Sequence, residues 1–157
     1  MDEADRVIVQ SLAKNGRGSL QVVADQLGLS RATVHERVRK LTNAGVLRAF
    51  RADVDWTALG FHVMAWVALQ TDQGKSSYQV LDDLAQIKEV DAAYLVTGRF
   101  DCLVKIRARD HQDLQRVLFD ELGKVGGFRR AETMVVLSTP FENRVDALFQ
   151  SLSDSRP

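Results

Sequence analysis

Apolar positions recur at helical spacing in three short blocks at the start of the chain, and then the period changes. Ala4, Val7, Ile8 and Leu12 form a stripe that predicts a helix over Asp2 to Lys14. Asn15-Gly16-Arg17-Gly18 ends it, because glycine is favoured just past a helix C-terminus. Ser19 is placed to cap a second helix, Leu20 to Leu27, and a third runs from Arg31 to Asn43 and stops at Ala44-Gly45. Residues 46–54 alternate well enough to predict one or two strands, a wing or linking strand, and Trp56 to Phe61, with Gly60, reads as a hinge. Beyond it Val63 to Leu69 is a continuous apolar run suited to a central strand, followed by a polar loop, Asp72 to Ser77. Tyr78, Leu81, Leu84, Ala85 and Ile87 return to helical spacing. Val90 to Val96 and Cys102 to Ile106 predict strands, Asp110 to Val125 a second amphipathic helix stopped by Gly126-Gly127, and Ala131 to Leu137 a last strand. Residues 140–152 predict a C-terminal helix.

The fold class that follows is α+β: an N-terminal winged helix-turn-helix and a C-terminal ferredoxin-like βαββαβ domain. The expected divisions are residues 1–51, a linking strand and hinge over 52–61, the βαββαβ domain over 62–140, and an extension over 141–157. Such a sheet carries both helices on one face. Its bare face calls for a cover, and a second subunit is the simplest one.

Within the first block, Leu20 to Leu41 has the steric grammar of a helix laid in the DNA major groove. Ala24 is small where the next helix crosses close above it. Gly28 permits φ > 0 in the turn, and Val34 points back at the first of the two helices. Ser30 can accept from the backbone N–H of Ala32 or Thr33. Val34, Val38 and Leu41 define the buried side of the third helix, and at about 100° per residue Arg31, Ala32, His35, Glu36 and Arg39 lie roughly opposite. Arg31 and Arg39 can reach guanine edges or phosphates, Glu36 can accept from a cytosine amino group, and Ala32 can touch a thymine methyl. Ser30 and Lys40 complete the expected DNA contacts. Arg37 sits beside the apolar stripe, which leaves two readings: a structural pair with Asp5, or a base contact.

Charge sharpens this picture. The 157-residue chain is neutral overall, yet residues 1–51 carry nine Lys/Arg against five Asp/Glu, and residues 52–157 carry twelve against sixteen. Between Ser30 and Arg51 six basic residues face one acidic residue, Glu36. Phosphate attraction is screened over about 8 Å at physiological salt, so a local basic patch outweighs the neutral total. The polar, acidic start (MDEADR) is expected to be neither a signal nor a transit peptide, and no apolar run reaches the ~20 residues of a membrane span. Cys102 is the only cysteine, so neither an intramolecular disulfide nor a cysteine zinc site is available. His62 and His111 have no partners at ligand spacing, and no metal, cofactor or catalytic residue is expected. The expected setting is a reducing cytoplasm, in association with the nucleoid.

Thr97-Gly98-Arg99-Phe100-Asp101 is longer than a two-residue hairpin needs. On composition alone it is either a glycine turn stabilised by Asp101, or a small loop whose amides bind a carboxylate while Asp101 accepts from an ammonium.

With these residues in view, DRVIVQSLAKNGRGSLQVVADQLGLSRATVHERVRKLTNAGVL, followed by YLVTGRFDCLVKIRARD and ETMVVLS, resembles the Lrp/AsnC, or feast/famine, transcription regulators over about residues 2–140. The resemblance implies a regulator that binds double-stranded DNA through its first domain and an amino acid or related small metabolite through its second. It implies a homo-oligomer: a dimer, or a tetramer or octamer built of dimers. Gly98 and Asp101 match the family's effector loop. Tyr94, Val96 and Thr97 on the preceding strand, and Thr133 and Met134 on the last, fall where the pocket would be lined. Arg99 stands where acidic or polar residues are often seen. Two rival readings accompany this one. Siroheme decarboxylase subunits resemble the same fold, and an architectural protein would bind DNA without an effector.

Overall fold

The computed structural model describes residues 1–72, 74–142 and 144–154, which fall into two compact units. The first contains residues 1–54 with the segment from Pro140 onward, and the second contains Asp55–Thr139.

In the first unit α1 (Glu3–Lys14), α2 (Leu20–Leu27) and α3 (Arg31–Asn43) form where the hydrophobic periodicity places them. Each start is capped by a side chain. Asp2 accepts from the Asp5 N–H while Asp5 accepts in return from the Asp2 N–H, a reciprocal capping box. Ser19 accepts from the Gln21 N–H, and Ser30 from the Thr33 N–H at 3.0 Å. Gly28 ends α2 at φ 64°, and the Leu29 N–H closes onto the Ala24 carbonyl. The core of this unit is Ile8, Leu12, Val23, Ala24, Val34 and Leu41, with Val38 packed against its edge. The C-terminal helix (Val145–Asp154) belongs here too, with Asp146 2.7 Å from Lys14 of α1.

Residues 46–54 form no strand, which corrects the expected wing. Their alternation has no partner strand within the unit, and an isolated extended segment gains no ladder hydrogen bonds.

The second unit is a four-stranded antiparallel sheet of β1 (Val63–Thr71), β2 (Val90–Leu95), β3 (Cys102–Ala108) and β4 (Phe128–Val135) in the order β2-β3-β1-β4. The fold is thus the expected α+β class. Residues 56–61 make a tight turn inside this unit, closed by the Phe61 N–H on the Trp56 carbonyl, and the two rings meet edge to face. One sheet face is packed: Ala65, Val67 and Leu69 of β1 and Cys102, Val104 and Ile106 of β3 are fully buried. Val80 and Leu84 of α4 (Ser77–Leu84) and Leu114 of α5 (His111–Arg116) cover them.

The helix expected over Asp110 to Val125 is continuous but not uniform. α5 passes without a cap into a π-helical segment, Val117–Leu122, and then a single α turn, Gly123–Val125. A π turn brings residues five apart into register, and Arg116 accordingly reaches Glu121 at 3.5 Å while also holding Asp113 and Glu89. The Arg109 N–H, and after it the Arg116 guanidinium, hold the Asp113 carboxyl below the usual carboxylate range. A depressed folded value means that this stabilisation is complete above the unfolded pKa and is lost as pH falls through the folded one. Asp113→Asn is therefore expected to flatten the acid limb of a melting temperature against pH profile, and a limb as steep as wild type would exclude Asp113 from it.

Candidate functional site

The outward side of α3 is free of core contacts. Arg31, Ala32, His35, Arg39 and Lys40 are exposed and Glu36 is half-buried, whereas Val34 is fully buried. The Ser30 cap fixes where this face begins, and its hydroxyl also lies 2.8 Å from that of Thr33. Arg39 donates to Glu36 at 2.9 Å, and that bond holds the Glu36 carboxyl below its ordinary range. The two side chains are thus paired with each other.

Arg37 turns the other way. Its Nη1 lies 2.8 Å from Asp5 Oδ1, the pairing that the spacing suggested, and 2.7 Å from Asp2 Oδ2. Asp5 and then Asp2 raise the guanidinium pKa above its ordinary value. The same two carboxylates cap α1, so one cluster ties the start of α1 to the middle of α3. Sequence reasoning missed Asp2 in this role, since a cap leaves no signal of a second partner.

In the second unit the β2–β3 loop is held by groups that the sequence did not single out. Both the N–H and the hydroxyl of Thr71 donate to Asp101 Oδ2, at 2.8 and 2.9 Å. The Asp101 N–H donates to the Leu69 carbonyl and the Val96 N–H to the Asp101 carbonyl. Gly98 sits at φ 123°, a conformation that side chains resist although its surroundings are open. Arg99 reaches Glu132 of β4 at 3.0 Å.

The remaining expected effector residues do not converge within one chain. Tyr94 and Met134 share the open face of the sheet but lie on its two outer strands, with β3 and β1 between them. Thr133 pairs with Val67 and so belongs to the opposite face. Val96 is half-buried and Thr97 exposed at the head of the loop. The open face carries Trp66 and Tyr94, whose rings lie 6.0 Å apart, with Lys105 of β3 opposite Trp66 and 3.6 Å from Asp91, and Tyr94 and Met134 are each about half exposed. Among the described residues no cluster of His, Cys, Asp and Glu could hold a metal ion, and no helix is long and apolar enough to cross a membrane.

This geometry, a capped three-helix unit followed by a β2-β3-β1-β4 sheet, has known counterparts. The chain matches the AsnC-type helix-turn-helix domain over residues 1–42 and the Lrp/AsnC ligand binding domain over residues 62–146. The chain belongs to the Lrp/AsnC family. Among its relatives are the HTH-type transcriptional regulator FL11 of Pyrococcus horikoshii, 36% identical over 88% of this chain and 91% of that one, and the regulatory protein AsnC of Escherichia coli, 31% identical over 89% and 92%. The solved structure of E. coli AsnC superposes with a TM-score of 0.84, covering 90% of this chain and 95% of that one. The feast or famine regulatory protein of M. tuberculosis, solved in complex with L-methionine, superposes with the same TM-score at 28% identity over 91% and 96%. As a member of the Lrp/AsnC family the protein is a transcriptional regulator with a helix-turn-helix DNA-binding domain and a ligand-binding domain. Both curated relatives are named as regulators.

Proposed function

We propose that this Lrp/AsnC regulator reads a pseudo-palindromic operator with two copies of α3, about one duplex turn apart. In this reading Arg31 and Arg39 contact guanine edges or phosphates, Glu36 accepts from cytosine and Ala32 meets a thymine methyl, with Ser30, His35 and Lys40 on neighbouring phosphates or base edges. The observation that carries it is the division of α3 into an exposed basic face and a face committed to the core, with Arg37 withdrawn onto Asp2 and Asp5.

The second unit binds an amino acid or related metabolite at the Gly98–Asp101 loop. Tyr94, Val96, Thr97, Thr133 and Met134 line a pocket completed between dimers. A pocket shared between dimers is what these residues would require, since they lie apart within one chain, and the methionine complex of the M. tuberculosis relative supports an amino acid as the ligand. The open sheet face, which carries Trp66, Tyr94 and Met134, is covered by a second copy. A ligand that prefers one assembly then shifts oligomeric state and DNA binding together, by its difference in affinity for the two.

Arg31→Ala is expected to weaken operator binding roughly ten- to a hundredfold without a change in melting temperature, read by mobility shift at fixed salt. Unchanged affinity would remove α3 from its assigned role. Equal affinity of the wild type for operator and random DNA would favour an architectural protein instead.

A further inference from the structure

One end of the open sheet face holds more guanidinium than carboxylate. Arg130 and Glu132 are two apart on β4 and so share a face, where the register sets them opposite Gln70 and Ala68 of β1. Arg99 arrives at the same carboxylate from the β2–β3 loop. Arg99 Nη2 lies 3.0 Å and Arg130 Nη2 2.6 Å from one oxygen, Glu132 Oε1. The Phe100 ring lies 5.3 Å beneath the Arg99 guanidinium, so the group has a planar support as well as an ionic one. A guanidinium has five N–H donors in a fixed fork that suits a carboxylate. Here two of them converge on a single acceptor, and the side chains remain 61% and 51% exposed.

We propose that the effector is an amino acid with an anionic side chain, of the aspartate or glutamate class, whose side-chain carboxylate is taken by Arg99 and Arg130. The proposal rests on the reading of the Gly98–Asp101 loop as the effector site. Asp101 then faces the ammonium, the loop amides the α-carboxylate, and the arginine pair the third charge. A neutral side chain would leave the second guanidinium without a counter-charge. A cationic one would be repelled by both.

The test is a thermal-shift titration of the full chain with L-aspartate, L-glutamate, L-asparagine, L-glutamine, L-methionine and L-lysine at constant ionic strength. One acid is expected to raise the melting temperature with half-saturation at least about tenfold below that of its amide. Arg99→Ala and Arg130→Ala should erase that difference while the ligand-free protein melts as before, since both side chains are exposed. Equal or tighter binding of an amide, methionine or lysine to the wild type overturns the proposal. If that binding still requires Asp101, the loop remains the effector site and only the ligand class is wrong. Binding of an acid that survives Asp101→Ala unchanged overturns the loop reading itself. No shift with any of the six overturns the anionic class.

Discussion

Ala24→Leu is expected to abolish operator binding while the melting of the sheet unit stays where it was. Ala24 is fully buried among the six core residues of its unit, one helical turn before the Gly28 turn that swings α3 into position. Three added carbons at a packed site force rotamer and backbone shifts that cost about 1–3 kcal/mol. A small unit has little stability to spare, since whole domains hold only about 5–15 kcal/mol. Any relief comes from pushing α3 away, which misplaces the face carrying Arg31 and Arg39. Calorimetry should therefore resolve an early transition for the helical unit beside an unshifted one for the sheet, and mobility shift should show no specific complex. Wild-type affinity in this variant would mean that α2 and α3 do not cross closely at Ala24.

A second large effect is expected at Asp101, and the structure separates its two parts. Asp101→Ala removes the acceptor of both Thr71 donors, leaving a part-buried N–H and hydroxyl without their partner. Unpaired groups of this kind cost about 1–3 kcal/mol, so the variant should melt earlier as well as lose its response to effector, with operator affinity preserved. Thr71→Val deletes only the hydroxyl donor, and its N–H can still bond Asp101 Oδ2. It should show a smaller stability loss and retain effector binding. If Thr71→Val abolished binding as fully as Asp101→Ala, Asp101 would act by holding the loop rather than by touching the ligand.

These two sites also mark what can be read along the chain. The three N-terminal helices, their caps at Ser19 and Ser30 and the turn at Gly28 are local chemistry, in which each residue's reason lies within a few positions. The strand order follows almost as directly, because a central apolar run and amphipathic helices on one side admit few topologies. The bonds that shape the candidate sites are different. Thr71 with Asp101, and Arg99 with Glu132, span 30 and 33 residues, and nothing in the local pattern of a threonine or a glutamate announces such a partner. The expected wing failed for the same physical reason. Alternation in residues 46–54 describes an extended segment, but a strand exists only where a neighbour completes its ladder. The π segment after Arg116 was equally silent, since apolar spacing of three and four does not distinguish one extra residue in a turn.

The return of the chain to its first unit has a consequence for dissecting this regulator. Residues 1–54 and the helix Val145–Asp154 belong to the same DNA-binding unit, with the sheet unit between them in sequence. A fragment cut at residue 54 is thus not the whole head, because it lacks the helix whose Asp146 pairs with Lys14. A fragment beginning at residue 55 carries that helix away without the surface it rests on. Shuffling heads and bodies between relatives requires two crossover points, one on each side of the insert.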